Sequence, residues 1–481
     1  MADIDRQILD QNPWWKDLDA IDSDPHIIAL QAHPFSWDPP VENTISLQTG
    51  SVHILRGPRQ TGKTTTAKRL IRTLLRNGNH RVLYFSFDLH TRPEIIADVI
   101  RRAKQLHPHP EGPWYLFLDE ITSLVDWARG IKYVWDQGMI RDDMVLVTGS
   151  SAHGLKRGSE QLPGRRGRGK DLLHLPMSFR DFCLATSDIT FPPETMRLNG
   201  IFESPGKELI RELNLHSAEL NTAFREYLRV GGFPAAVSSW MVSGDYPAEI
   251  TRTLWSIVAN DVARSGRDQT SALKLLEEIG LSLGSFLKWS GAAKAMDVKK
   301  PDTAKEYALL LSESFMLLTV FFWDMSGKGF QPQKRRKVFY MDPLLAHVAP
   351  ELIPGARSPD ADAMRENAVA IGLYRSGVEA LAQASPMPGC MGYWRSRDDR
   401  EIDFVLPPEA GGERDRALAV ESKGDNHALV SNARKAIRQV FGRGVVATRG
   451  LYAWDDDVPA IPASVMLAAL EERPRRTAIT I

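Results

Sequence analysis

Gly57-Pro58-Arg59-Gln60-Thr61-Gly62-Lys63-Thr64 is the stretch that decides the fold. The short apolar run Ser51–Arg56 enters it, and Lys63–Arg76, with helical spacing, leaves it. A G-x-x-x-x-G-K-[ST] pattern between strand and helix predicts a loop whose backbone amides curl around nucleotide phosphates, helped by the positive end of the helix. Lys63 is expected to reach the phosphates and the Thr64 hydroxyl to ligate Mg²⁺, with Thr65 closing the nucleotide-binding set. ATP and Mg²⁺ are the expected cofactors.

Working outward, strand and helix patterns alternate to about Ala152. Arg81–Asp88, Trp114–Asp119 and Met144–Gly149 read as buried strands, and Pro93–Gln105 as a helix. The expected class is α/β, a three-layer sandwich around a parallel sheet. The apolar run Tyr115–Leu118 ends in Asp119-Glu120, where a carboxylate pair for metal and water belongs. Asp119 is expected in the Mg²⁺ shell and Glu120 as the group that polarises the attacking water. Ser150, after the next strand, is the expected γ-phosphate sensor. A basic stretch follows with Lys156, Arg157, Arg165, Arg166, Arg168 and Lys170. One of Arg165, Arg166 or Arg168 is expected to act as a finger across a subunit interface, placing Arg165 and Arg166 in the nucleotide-binding set. The bland alternative is a solvated basic loop.

Composition bounds the rest. The 481 residues hold 60 Lys plus Arg and 60 Asp plus Glu, with 43% hydrophobic and 25% charged residues. That is an ordinary globular balance, excluding disordered, collagenous and coiled-coil classes, and the length predicts roughly three domains. With zero net charge, any nucleic-acid contact must come from local clusters. Cys183 and Cys390 alone cannot build a disulfide framework or a four-thiolate zinc site, which predicts a cytoplasmic setting. Met1–Asp17 does not read as a signal peptide. The longest apolar run, Tyr307–Trp323, is broken by Ser312-Glu313-Ser314, so no membrane span is expected.

From about Pro193 to Arg264 helical patterns dominate, punctuated by Gly231-Gly232-Phe233-Pro234. Ser271–Leu287 and Asp302–Leu318 read as helices, followed by strands Leu318–Trp323 and Val338–Met341. A basic loop between those strands holds Gly327, Lys328, Gly329, Lys334, Arg335, Arg336 and Lys337. Three helices and a hairpin predict a winged helix whose basic wing contacts DNA phosphates. The alternative is a structural module with a solvated loop.

After the Pro-rich stretch Pro350–Pro359, a second α/β pattern begins. Glu401-Ile402-Asp403-Phe404 and Val420-Glu421-Ser422-Lys423 read as strands. Residues two apart share a strand face, so Glu421 and Lys423 point the same way, and a hairpin would bring Asp403 to them. Two carboxylates holding Mg²⁺ beside a lysine suit phosphodiester cleavage. Asp403, Glu421 and Lys423 are the expected catalytic residues, with Asp403, Glu421 and Glu366 as metal ligands. The alternative is a surface hairpin with an ordinary ion pair.

The phosphate loop, Leu118-Asp119-Glu120 and Thr148-Gly149-Ser150-Ser151 together resemble the prokaryotic AAA-superfamily ATPases that carry a DUF4143 C-terminal domain. Gly164-Arg165 ahead of Leu175-Pro176-Met177-Ser178-Phe179-Arg180-Asp181-Phe182, the Gly231-Gly232-Phe233-Pro234 turn and Lys337–Asp342 extend the likeness over most of the chain. It departs at Arg166 and Arg168, which are extra arginines, and at Asp181, which stands for the usual glutamate. The Asp403…Glu421-x-Lys423 set resembles the PD-(D/E)xK nucleases. These likenesses imply a P-loop AAA-type ATPase core at 1–190, a helical lid at 191–265, a winged helix at 266–350 and a nuclease-like α/β domain at 356–481. The implied protein is an oligomeric ATPase that binds duplex or branched DNA and binds or cuts it with its last domain. The competing reading is a nucleotide-gated switch with a non-catalytic C-terminal module, or a junction motor that does not cut.

Overall fold

The structure is a computed structural model of the chain. It describes residues 2–107, 111–149, 158, 162–326, 329–377, 391–398, 400–408 and 417–470. They fall into two compact units, Met1–Leu175 and the described residues from Pro176 onward. Ser150, Lys156, Arg157, Gly327, Lys328 and Cys390 lie outside the described residues.

The first unit holds five strands: β1 (Ser51–Arg56), β2 (Val82–Ser86), β3 (Tyr115–Asp119), β4 (Met144–Thr148) and β5 (Asp171–Leu173). They form one sheet in the order β2-β3-β4-β1-β5, and every pairing is parallel. Its helices are α1 (Ala2–Gln11), α2 (Pro25–Gln31), α3 (Lys63–Arg76), α4 (Ile95–Leu106) and α5 (Trp127–Asp136). Strand alternation divides the core into two layers. Val52, Ile54, Leu83, Phe85, Leu116 and Leu118 join the core built with α1, α4 and α5. Leu55, Val82, Tyr84 and Phe117 join the other, against α3. Helix α3 supplies Ala67, Leu70, Ile71, Leu74 and Leu75, one stripe at helical spacing. The expected three-layer α/β sandwich is therefore present.

Strand β2 is at the sheet edge, and side chains of the N-terminal segment satisfy its outer backbone groups. The Asn12 amide donates to Tyr84 O at 2.8 Å and accepts from Tyr84 N at 2.7 Å. The indole N–H groups of Trp14 and Trp15 both donate to Val82 O, and Ser86 N donates to Gln11 Oε1 at 2.7 Å. An edge that would otherwise offer a pairing template is thereby closed.

The second unit begins with helices and ends in a seven-stranded sheet. Its strands are β6 (Leu317–Asp324), β7 (Gly329–Tyr340), β8 (Gly392–Arg395), β9 (Glu401–Leu406), β10 (Leu418–Ser422), β11 (Gly444–Thr448) and β12 (Ala460–Pro462), in the order β12-β11-β10-β9-β8-β6-β7. This corrects the expected division. The hairpin β6–β7 is not the wing of a separate domain, because β6 pairs in parallel with β8, Phe321 opposite Gly392. The basic segment from Gly329 to Lys337 is strand rather than loop, pairing with β6 at Gly329–Gln331 and again at Arg336–Lys337, with a bulge over residues 332–335 between them. The helix expected over Ser271–Leu287 spans Gln269–Leu281, and that expected over Asp302–Leu318 spans Pro301–Glu313. Phe179–Thr186, expected in the ATPase core, belongs to the second unit. The Ser178–Asp181 part of the quoted block is a capping box: Asp181 N donates to Ser178 Oγ, and Ser178 N to Asp181 Oδ2. Among the described residues no helix is long and apolar enough to cross a membrane.

Candidate functional site

The phosphate loop leaves the carboxyl end of β1. Strand β4 separates β1 from β3, so the loop and the Asp119-Glu120 pair flank the sheet's switch point, where open parallel sheets bind ligands. Gly57 permits a close approach: a Cβ there would lie 2.1 Å from the carbonyl oxygen of His174. Gly62, at φ 97°, turns the chain into α3. Gln60 and Glu120 are two of the few non-glycine residues at positive φ, 61° and 49°. Such backbone strain concentrates at functional sites, and here it marks both halves of the expected site.

Asp119 is buried and receives four donors. Thr64 Oγ1 and the Tyr84 hydroxyl each donate to Oδ2 at 2.8 Å. Thr148 Oγ1 and Glu120 N donate to Oδ1. Three strands and the loop thus converge on one carboxylate. Lys63 is also buried; its ammonium donates to Pro58 O at 2.6 Å and Gly57 O at 3.1 Å. Burial lowers its pKa to about 8, against the opposing pull of Glu120 and Asp119. Thr61 Oγ1 donates to Pro58 O. The structure therefore brings Lys63, Thr64, Asp119 and Glu120 together. Magnesium fits: the hydroxyl and carboxylate that would share its shell stand in direct contact, backed by further donors.

Sequence reasoning missed Tyr84, Thr148 and His174. Thr148 and Tyr84 meet Asp119 from separate strands, and His174 Nε2 lies 3.0 Å from Thr66 Oγ1. Polar groups in otherwise apolar buried strands were the available signal.

Arg165 and Arg166 are not beside the phosphate loop of their own chain. Val52 N donates to Arg166 O, and Arg168 N donates to Gly50 O, so this loop runs past the start of β1, while the phosphate loop follows its end. Six strand residues, roughly 20 Å, separate the two. Arg165 pairs with Asp136 at 2.9 Å and Arg166 with Asp171 at 2.5 Å. The expected role was in trans, on a neighbouring subunit's nucleotide, and the single chain does not test it; Arg168 is the exposed arginine of the three.

In the second unit, Asp403, Glu421, Lys423 and Glu366 do come together. Asp403 N donates to Glu421 Oε2, and Ser422 N to Asp403 Oδ2, each at 2.9 Å. Lys423 Nζ lies 2.7 Å from Glu421 and 3.9 Å from Asp403. A residue expected elsewhere completes the cluster. Lys337, fully buried, places its ammonium 2.8 Å from Asp403, 3.2 Å from Glu366 and 2.7 Å from Glu401. This corrects the expectation that Lys337 faces DNA. Burial lowers its proton affinity, but the three carboxylates prevail and raise its pKa. Burial raises Glu366 to about 7 and Glu421 to about 8, in each case with the Asp403 charge adding to it. Burial also acts to raise Asp403, yet Lys337 and Lys423 hold it below its ordinary value. Among the described residues, no group of three or more acidic, His or Cys side chains is arranged to hold a metal. The Lys337 ammonium takes the place between Glu366 and Asp403 that the expected magnesium ion would need.

Comparison with known proteins gives two family matches. Residues 49–183 match an AAA domain, and residues 221–354 match a domain of unknown function, DUF8612, rather than the DUF4143 that the resemblance implied. No curated protein matches the chain. Among solved structures, the Walker-type ATPase PABY2304 of Pyrococcus abyssi is 12% identical, covering 65% of this chain and 95% of that chain at a TM-score of 0.40. The Aeropyrum pernix ORC2 protein is 11% identical, with 66% and 97% covered at 0.32. The Aeropyrum pernix ORC1 protein in complex with DNA is 14% identical, with 75% and 92% covered at 0.28. These scores are too low to carry an argument about activity or partner. The AAA match, spanning the strand, phosphate loop and carboxylate pair whose geometry is given above, supports an AAA-superfamily ATPase.

Proposed function

We propose that the protein is a Mg²⁺-dependent ATPase whose cycle acts on nucleic acid, with a second unit that binds and does not cut. The observation that carries the ATPase reading is the convergence of Thr64, Tyr84 and Thr148 on Asp119. In this reading Lys63 holds the phosphates, Thr64 and Asp119 hold magnesium, and Glu120 orients the attacking water and takes its proton. The bound ion would neutralise charge on the β- and γ-phosphate oxygens.

Protonation of Lys63 gives a direct test. Above about pH 8 the free site increasingly holds a neutral amine, whereas phosphate binding requires the ammonium, so a proton must be taken up on binding. ATP affinity should weaken as pH rises through 8, by up to about tenfold per pH unit. Calorimetric titration across pH 7 to 9.5 measures this. Lys63→Arg should flatten the profile whatever its absolute affinity, and a flat wild-type profile would exclude Lys63 as the titrating group.

The nucleic-acid reading rests on β7 and its neighbours. Arg335 and Arg395 lie over the Phe286 ring at 6.0 and 5.2 Å, and Arg336 lies over Trp289 at 5.7 Å and Phe321 at 5.2 Å. Exposed Lys334 and Lys288 flank them. A guanidinium stacked on a ring keeps N–H edges available for phosphate. Replacing Lys334 and Arg335 by alanine should weaken duplex binding and reduce the salt slope by roughly 0.9 for each phosphate no longer neutralised. An unchanged slope would remove this strand from the interface. ATPase rates with and without duplex, single-stranded and branched DNA separate this reading from a nucleotide-gated switch, for which none should stimulate. A finger acting in trans, with Arg168 the exposed candidate, would make specific activity rise with protein concentration.

A further inference from the structure

We infer that the carboxylate cluster of the second unit is a cation site closed from within: the Lys337 ammonium stands where a divalent ion would stand, so the unit neither takes up Mg²⁺ nor cleaves phosphodiesters. The inference does not depend on the ATPase reading, and its failure would leave that reading intact.

The geometry is that of a ligand shell around a nitrogen. Lys337 comes from β7, Glu401 and Asp403 from β9, and Glu366 from the helix Ala361–Gly377. All three carboxylates reach the one ammonium within 3.2 Å. Those distances suit N–H···O bonds, whereas Mg²⁺ needs oxygens at about 2.0–2.1 Å in near-octahedral array. Three further oxygens of Asp403 and Glu421 are also engaged. Asp403 Oδ2 accepts from Ser422 N, Glu421 Oε2 accepts from Asp403 N, and Glu421 Oε1 faces Lys423. A metal entering between Asp403 and Glu366 would have to displace a fully buried ammonium and leave it Glu401 alone of its three carboxylates.

Charge leads to the same place. Four carboxylates packed together repel and would protonate or bind a cation. Here Lys337 and Lys423 place two positive charges within 2.7–3.2 Å of those carboxylates. Side chains thus already stand where a metal's charge would be needed. Lys337 has a further role through its position: it anchors the strand that carries Arg335 and Arg336, holding the basic hairpin to the sheet.

The test is Mn²⁺ binding by the nucleotide-free full chain, followed by electron paramagnetic resonance. Wild type and Asp403→Asn should bind the same amount of Mn²⁺, since the cluster contributes none. Lys337→Ala should gain one site, and Lys337→Ala with Asp403→Asn should lose it again. A Mn²⁺ ion bound by wild type and lost in Asp403→Asn would overturn the inference, as would a folded Lys337→Ala that gains no site. Should Lys337→Ala fail to fold, the wild-type and Asp403→Asn pair decides alone: equal binding upholds the inference, and unequal binding overturns it. Plasmid nicking with Mg²⁺ or Mn²⁺ gives a second readout. Any nicking that Asp403→Asn removes counts against the closed site.

Discussion

Glu120→Gln should bind ATP nearly as well as wild type and turn it over about 10²- to 10⁴-fold more slowly. The isosteric amide preserves the turn after β3, where Glu120 holds φ 49°, and it leaves Thr64 on Asp119 undisturbed. What it removes is the ability to take a proton from water. Lys63→Ala should fail one step earlier, losing tight ATP binding, because the loop's buried cation is gone. Asp119→Asn should damage both steps, since an amide NH₂ cannot accept from the Thr64, Tyr84 or Thr148 hydroxyls as the carboxylate does and carries no charge for the metal. Single-turnover hydrolysis beside equilibrium nucleotide binding distinguishes the three. Turnover by Glu120→Gln within a few-fold of wild type would take Glu120 out of the proton transfer.

Lys337→Ala should be the most destabilising single change in the second unit, by about 3–5 kcal/mol, because it strands buried carboxylates without their partner. Urea unfolding measures it, and Lys337→Met combined with Asp403→Asn should recover part of the loss by removing charge on both sides. The defect should shrink on acidification. A carboxyl at about 7 in the folded chain, as Glu366 is, against an ordinary 4.5 when unfolded, binds more protons folded than unfolded between those values. Its contribution is therefore present at low pH and lost as pH rises towards 7, and removing Lys337 enlarges the set of carboxyls that behave so. A Lys337→Ala defect that does not change between pH 5 and 8 would show that the ammonium does not neutralise this cluster.

The first unit was legible because its chemistry is local. Phosphate loop, strand and helix are contiguous, and Asp119-Glu120 close an apolar run, so spacing alone assigned Lys63, Thr64, Asp119 and Glu120. Asp403, Glu421 and Lys423 were also found together, since strand alternation and one hairpin suffice for that. Lys337 was misread for a physical reason. In the linear sequence it ends a run of four cations, but in β7 neighbouring residues take opposite faces, and its partners Glu366 and Asp403 lie 29 and 66 residues away. Likewise the hairpin's true neighbour, Gly392 on β8, is remote from Phe321, and no local pattern distinguishes a wing from the end of a larger sheet. Which end of β1 the Arg165–Arg166 loop passes was not legible either, because a loop's distance from a site depends on the strand pairing around it.

The side chains that close strand β2 lie earlier in the chain than the strand itself. Asn12, Trp14 and Trp15 leave the ribosome about 70 residues before Val82 and Tyr84, the backbone they bond. A nascent first unit therefore carries its edge cover before the edge exists, and the strand meets an intramolecular partner as it emerges. Crowded ribosomes translating the same message would otherwise present identical open strands to one another. A circular permutant that moved residues 2–23 behind β5 would reverse that order of synthesis, and is expected to aggregate more than the native order when translated at high yield.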